Sequence, residues 1–157
     1  MEIVFLLILV GFFIIAIYRA NHASQEAKIN VEQGQHFLDN NKRHEAVHTT
    51  ESGLQYQVIS NSNEEKSPSK ASSVTVHYEG SLIDGSVFDS SYKRGEPLTF
   101  PVNQVIQGWQ EGLLIMNQGD KYRFFIPAHL GYGKRQAGSI PPGSTLIFDV
   151  ELLEVKP

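Results

Sequence analysis

The chain has 157 residues, of which 41% are hydrophobic and 19% charged, with a formal net charge of -4 and no cysteine. That length suits one domain plus an appendage. The acidic balance argues against nucleic acid as a partner, and the missing thiols exclude disulfides, thiolate metal sites and cysteine nucleophiles together.

Ile3 to Ile17 is apolar without interruption, closed by Tyr18 and Arg19. As a helix, Met1 to Tyr18 would span about 27 Å, just short of a hydrocarbon core of roughly 30 Å. Met1-Glu2 offers no basic n-region, and Asn21-His22-Ala23 is a poor cleavage site. Residues 1–19 are therefore expected to be an uncleaved transmembrane anchor, with Tyr18 at the interface. Residues 20–48 are polar and helix-compatible, with a thin apolar stripe, and read as a stalk carrying a helix from about 30 to 46. Such a stripe supports at most weak pairing into a homodimer.

His44-Glu45-Ala46-Val47-His48 matches H-E-x-x-H, in which a helix turns two histidines to one face to share a zinc ion. Its polar flanks and the Thr49–Gly53 break place it at a solvated helix end, and no third ligand stands out, so no metal is assigned.

Residues 49–157 are expected to form the globular domain. Leu54 to Ile59 alternates as a strand, and 60–73 is a polar loop. Val74, Val76 and Tyr78 alternate with polar partners as a second strand, and Asp84-Gly85 marks a turn. Leu98 to Phe100 is a short strand. Asn103 is expected to cap a helix bearing Val105, Ile106, Trp109 and Leu113 on one face. Asn117–Asp120 is a turn, Tyr122 to Ile126 a strand ended by Pro127, 128–143 a Gly- and Pro-rich loop, and Thr145 to Val155 the last strand. This is an α+β pattern, an antiparallel sheet packed on one short helix. No nucleophile elbow or phosphate loop is present.

Five stretches in register, Val74–Gly80, Asp84–Ser91, Val105–Gly112, Gly131–Gly133 and Ile140–Leu153, resemble the FKBP-type peptidyl-prolyl cis–trans isomerases over residues 72–157. Thr49–Tyr56 is similar to the start of that domain in the bacterial, macrophage-infectivity-potentiator-like branch. The resemblance implies a twisted antiparallel sheet wrapped around one short helix, and no cofactor. It also implies proline-containing polypeptides as substrates and macrocyclic inhibitors as ligands. It assigns Trp109 as the floor of a proline pocket. Tyr78, Phe88, Leu98, Phe100, Val105, Ile140 and Phe148 are its substrate-binding walls. The Ile106 N–H and the Tyr132 hydroxyl would bond substrate carbonyls. Asp89 would be the polar group near the rotating imide, stabilising charge there or holding its neighbours. Leu98 departs from the family, where an aromatic is frequent. A binding or chaperone module using the same pocket without catalysis is the alternative. The charges around the apolar run favour a cytoplasmic domain. Exported relatives favour the periplasmic face of a bacterial inner membrane, which is the expectation here.

Overall fold

The computed structural model of the chain describes the backbone of residues 2–157 and the side chains of residues 11–157. Helix α1 spans Glu2–Asn41. Strands β1 (His48–Thr49), β2 (Gln55–Ser60), β3 (Ser73–Leu82) and β4 (Val87–Ser90) follow. The one-turn helix α2 (Ser91–Arg94), β5 (Leu98–Pro101) and helix α3 (Gln107–Leu114) come next. Strands β6 (Lys121–Ile126) and β7 (Leu146–Lys156) complete the chain.

The strands form one antiparallel sheet in the order β1-β2-β6-β7-β3-β4, and β5 also pairs with β3. The free edge of β3 is therefore divided: β4 takes residues 79–81 and β5 takes residues 73–76. The period-two patterns put Val74, Val76 and Tyr78 of β3, Phe124 and Ile126 of β6, and Leu146, Phe148, Val150 and Leu152 of β7 on one buried face. Helix α3 lies against that face and buries Trp109 and Leu113. It comes close because Gly108 and Gly112, one turn apart, face the sheet. A Cβ on Gly108 would stand 2.6 Å from Ile126, and one on Gly112 would stand 2.6 Å from Phe124. The sheet-around-a-helix architecture is as expected, with the one-turn helix α2 an addition to the single helix expected within residues 49–157.

Three sequence expectations are corrected. The helix expected from about 30 to 46 is the end of α1 and stops at Asn41. There Arg43 N and His44 N bond three residues back, to Asn40 O and Asn41 O at 3.1 Å each. This tightens the last turn. The Asn41 side chain turns away to donate to Gln55 Oε1 at 2.8 Å. The H-E-x-x-H motif therefore has no helix to align it: His44 is in a bend, and His48 is in β1 with its ring 5.1 Å from that of Tyr56. Third, Asn103 caps nothing. It sits in a 3-10 turn over Val102–Gln104, and α3 starts after Ile106 without a side-chain cap.

The end of α1 is docked on the domain. Ala27 and Leu38 are buried, Phe37 meets Phe125 of β6 at 6.0 Å, and Gln55 Nε2 donates to Leu38 O at 2.9 Å. This contact explains why Phe124-Phe125-Ile126 breaks the alternation of β6. Phe125 faces the opposite side of the sheet, and α1 covers it. Of the expected anchor, the first ten residues lie outside those described with side chains. Among the described residues no helix is long and apolar enough to cross a membrane.

Candidate functional site

A cleft of about 540 Å³ opens between α3, the end of the sheet and the loops around it. That is the size range of small-ligand and peptide sites. Trp109 lies at its base, only 5% exposed. Three rings stand around the indole: Tyr78 at 5.4 Å, Phe148 at 5.2 Å and Phe100 at 5.6 Å, the first two nearly perpendicular to it. Phe88 meets Phe148 edge-on at 5.4 Å. Edge-to-face contacts satisfy the ring quadrupoles and fix these aromatics relative to one another.

Close backbone approach makes this possible. Gly80 lies between β4 and β7, and a Cβ there would stand 2.6 Å from both Phe88 and Phe148. The sheet thus carries a gap where two rings meet, and only a glycine leaves it open.

The polar side of the cleft comes from three successive elements. Ser90 accepts from Lys93 N at 3.4 Å as the cap of α2, and Gly95 ends that turn in the left-handed region (φ 76). This single turn brings the chain back, so that Arg94 bonds Asp89 of β4 and donates to the Tyr78 hydroxyl of β3 at 3.0 Å. The Tyr78 hydroxyl in turn donates to the other Asp89 oxygen. Burial pushes the Asp89 carboxyl up, but the Tyr78 and Arg94 hydrogen bonds outweigh it and hold it below the ordinary range. Burial, then the Asp89 contact, pushes the Tyr78 hydroxyl up. At neutral pH the site therefore holds a carboxylate, a neutral phenol and a guanidinium in mutual contact, and Asp89 carries no proton to give.

Two loops close the rim. Ile106 is extended (φ -57, ψ 152), just before α3. Its N–H thus lies outside the α3 ladder. Val105 beside it has its carbonyl bonded by Gln110 Nε2 at 2.8 Å. Tyr132 is 41% exposed, anchored on one side by Gly133 N to Ala128 O and by Gly143 N to Gly133 O, both 2.8 Å. The tight turn 137–140, closed by Ile140 N to Ala137 O at 2.9 Å, buries Ile140 against the cleft.

All eleven residues singled out from the sequence (Tyr78, Phe88, Asp89, Leu98, Phe100, Val105, Ile106, Trp109, Tyr132, Ile140 and Phe148) line this one cleft. Leu98 is at the rim, 43% exposed. Sequence reasoning missed Gln104, Ala137, Gly138 and Ser139 on the lining, and Arg94 behind Asp89. Arg94 had a legible signal, a basic residue placed between a serine cap and a C-terminal glycine. Among the described residues no group of three or more His, Asp or Glu side chains assembles that could hold a metal ion.

Comparison with known proteins is consistent with this geometry. Residues 64–153 match the family model for FKBP-type peptidyl-prolyl cis-trans isomerase. Residues 14–58 match that of the domain amino terminal to FKBP-type peptidyl-prolyl isomerase. The chain is 50% identical over 134 residues to the FKBP-type peptidyl-prolyl cis-trans isomerase FkpA of Aeromonas hydrophila, covering 85% of this chain and 50% of the relative. It is 55% identical over 124 residues to the FKBP-type 22 kDa peptidyl-prolyl cis-trans isomerase of Escherichia coli K12, covering 78% and 60%. The chain thus spans only half to three-fifths of these relatives' length. The crystal structure of FkpA from Escherichia coli superposes with a TM-score of 0.88 at 40% identity, covering 95% of this chain and 70% of that one.

Proposed function

We propose, because this chain belongs to the FKBP-type peptidyl-prolyl cis–trans isomerase family, that it accelerates rotation about X–Pro bonds in polypeptides. The observation that carries this reading is the cleft: apolar, aromatic, floored by Trp109, with few polar groups and those at its edge.

The chemistry asks little of the side chains. Rotation breaks amide resonance against a barrier of ~18–20 kcal/mol, and it takes tens to hundreds of seconds unaided. No bond is cleaved, so no nucleophile is needed. The planar imide is a zwitterionic resonance hybrid, and the twisted one has lost that polarity. An apolar pocket therefore favours the twisted form over the planar one, which is differential binding. Raising a rate from ~0.01 to ~100 per second takes about 5–6 kcal/mol.

In this mechanism the proline ring lies on Trp109 between Phe148, Phe88, Tyr78, Phe100 and Val105, with Ile140 and Leu98 at the ends. The Ile106 N–H and the Tyr132 hydroxyl donate to the flanking carbonyls, fixing one side of the bond while the other turns. Asp89 has both oxygens engaged by Tyr78 and Arg94. Its role is to hold that edge as a rigid, charged rim rather than to transfer a proton.

The reading extends to location and ligands. The apolar run Ile3–Ile17 tethers the protein to a bacterial inner membrane, with residues 49–157 on the periplasmic side and residues 20–48 between. There it acts on proline-containing chains, and the cleft also takes macrocyclic inhibitors of the family. Fractionation of cells, with protease access from either side, tests the placement; a protein wholly in the soluble fraction overturns the tether. The activity is tested with the full chain in a protease-coupled proline-peptide assay. Acceleration abolished by Trp109→Leu is expected. Tight peptide binding without acceleration would make the cleft a binding module instead.

A further inference from the structure

The cleft does not end at Tyr132. A second, open groove of about 680 Å³ runs along the 129–137 loop, and Tyr132 and Ala137 line both. Its other lining residues include His129, Lys134, Arg135 and Gln136, and no carboxylate is among them. Lys134 and Arg135 are exposed, and neither is in an ion pair among the described residues. Arg94, behind Asp89, is by contrast neutralised by it. On a chain of net charge -4, two uncompensated cations therefore stand beside the proline cleft.

A polypeptide bound through its proline is extended there, and consecutive residues advance about 3.3 Å each. Residues one to three places from the proline reach past Tyr132 into the groove. We propose that this groove is a subsite for acidic side chains flanking the proline, with Lys134 and Arg135 as its specificity-determining residues. The inference rests on the isomerase reading of the cleft. The pairs formed are solvent-exposed, so the preference is modest: about threefold in kcat/KM over a neutral isostere, appearing in KM rather than kcat because the cations lie away from the rotating bond.

The test uses the full chain and a set of proline peptides carrying Glu, Gln or Lys at each of the three positions on either side of proline. Isomerisation is followed by exchange NMR, which needs no coupling protease. Binding is followed in parallel by the fluorescence of Trp109, the single tryptophan. At one or more positions Glu should exceed Gln, and Gln exceed Lys. The ranking should vanish in about 1 M salt, where the Debye length is about 3 Å. Lys134→Ala with Arg135→Ala should erase it while leaving the Gln peptides unchanged, and Lys134→Glu with Arg135→Glu should invert it. A flat ranking in the unmodified protein, or one that survives both double variants, overturns the proposal. Failure to accelerate any peptide overturns the isomerase reading instead, and the fluorescence ranking still decides the groove.

Discussion

Gly80→Ala separates two physical effects of opposite sign at the heart of the cleft. Backbone entropy alone makes alanine better than glycine in a strand, by about 0.5–1 kcal/mol. Against this, the new methyl would stand 2.6 Å from both Phe88 and Phe148. Phe148 cannot retreat: it is buried, with Trp109 at 5.2 Å and Phe88 at 5.4 Å. Phe88 is only partly buried, so it must swing outward. Overpacking of this kind costs about 1–3 kcal/mol, and the packing effect wins by about 1–2 kcal/mol. At 2–4 °C per kcal/mol for a chain of this size, the melting temperature falls by about 2–8 °C. Displacing one wall by about an ångström also lowers kcat/KM, by up to about a hundredfold. Calorimetry and the proline-peptide assay on the same sample read both effects. Gly85→Ala is the control, since nothing lies within 4 Å of its Cβ position and its φ is +86. It should lose stability through backbone strain alone and keep full activity. A Gly80→Ala protein that melts higher and isomerises normally would refute the account of the rings.

Three further outcomes follow from the same geometry. Asp89 has its carboxyl held below the usual value. What it contributes is therefore present above its unfolded value of about 3.9 and is lost as pH falls through the lowered folded value. Activity should be flat through neutral pH with respect to this group and fall only under strongly acidic conditions. Asp89→Asn should lower kcat/KM about tenfold at neutral pH, equivalent to about 1.4 kcal/mol, and the difference should close under strongly acidic conditions where Asp89 itself is protonated. Trp109→Leu should abolish most activity and cost about 2–4 kcal/mol in urea unfolding through the void left beneath Phe148, with far-UV circular dichroism unchanged. Asn30→Ala removes the 2.8 Å bond from the α1 side chain to Pro142 O. It should cost about 1 kcal/mol and speed amide exchange in residues 143–145, which follow the two prolines, without altering exchange in β3.

The inner-face strands were legible because each buries a single face. Val74, Val76 and Tyr78 declare their side of the sheet by alternation, and so do Leu146, Phe148 and Val150. The cleft residues were legible because their motifs recur in a known family. The aromatics alone were indistinguishable from core, and Trp109 does belong to both. The turn that carries Arg94 was legible from its serine cap and its glycine, but the contact of Arg94 with Tyr78 was not, because that partner on β3 lies 16 residues earlier in the chain. Asn103 misled because a good cap residue is only a local preference, and here the chain makes a 3-10 turn before α3 begins.

What the amino-acid order determined unaided is the set of faces: which residues must be buried, where turns fall, and which stretch is continuously apolar. Those depend on hydrophobicity and backbone preference over a few neighbours. Only the folded chain decided that α1 docks through Asn30 and Ala27 on the loop behind Ile140, that Phe125 lies beneath Phe37, and that Tyr78, Asp89 and Arg94 meet. Each of these joins residues far apart in the chain. Loop closure, strand register and the gaps left by glycines set such distances, and none of the three is encoded at the positions it brings together.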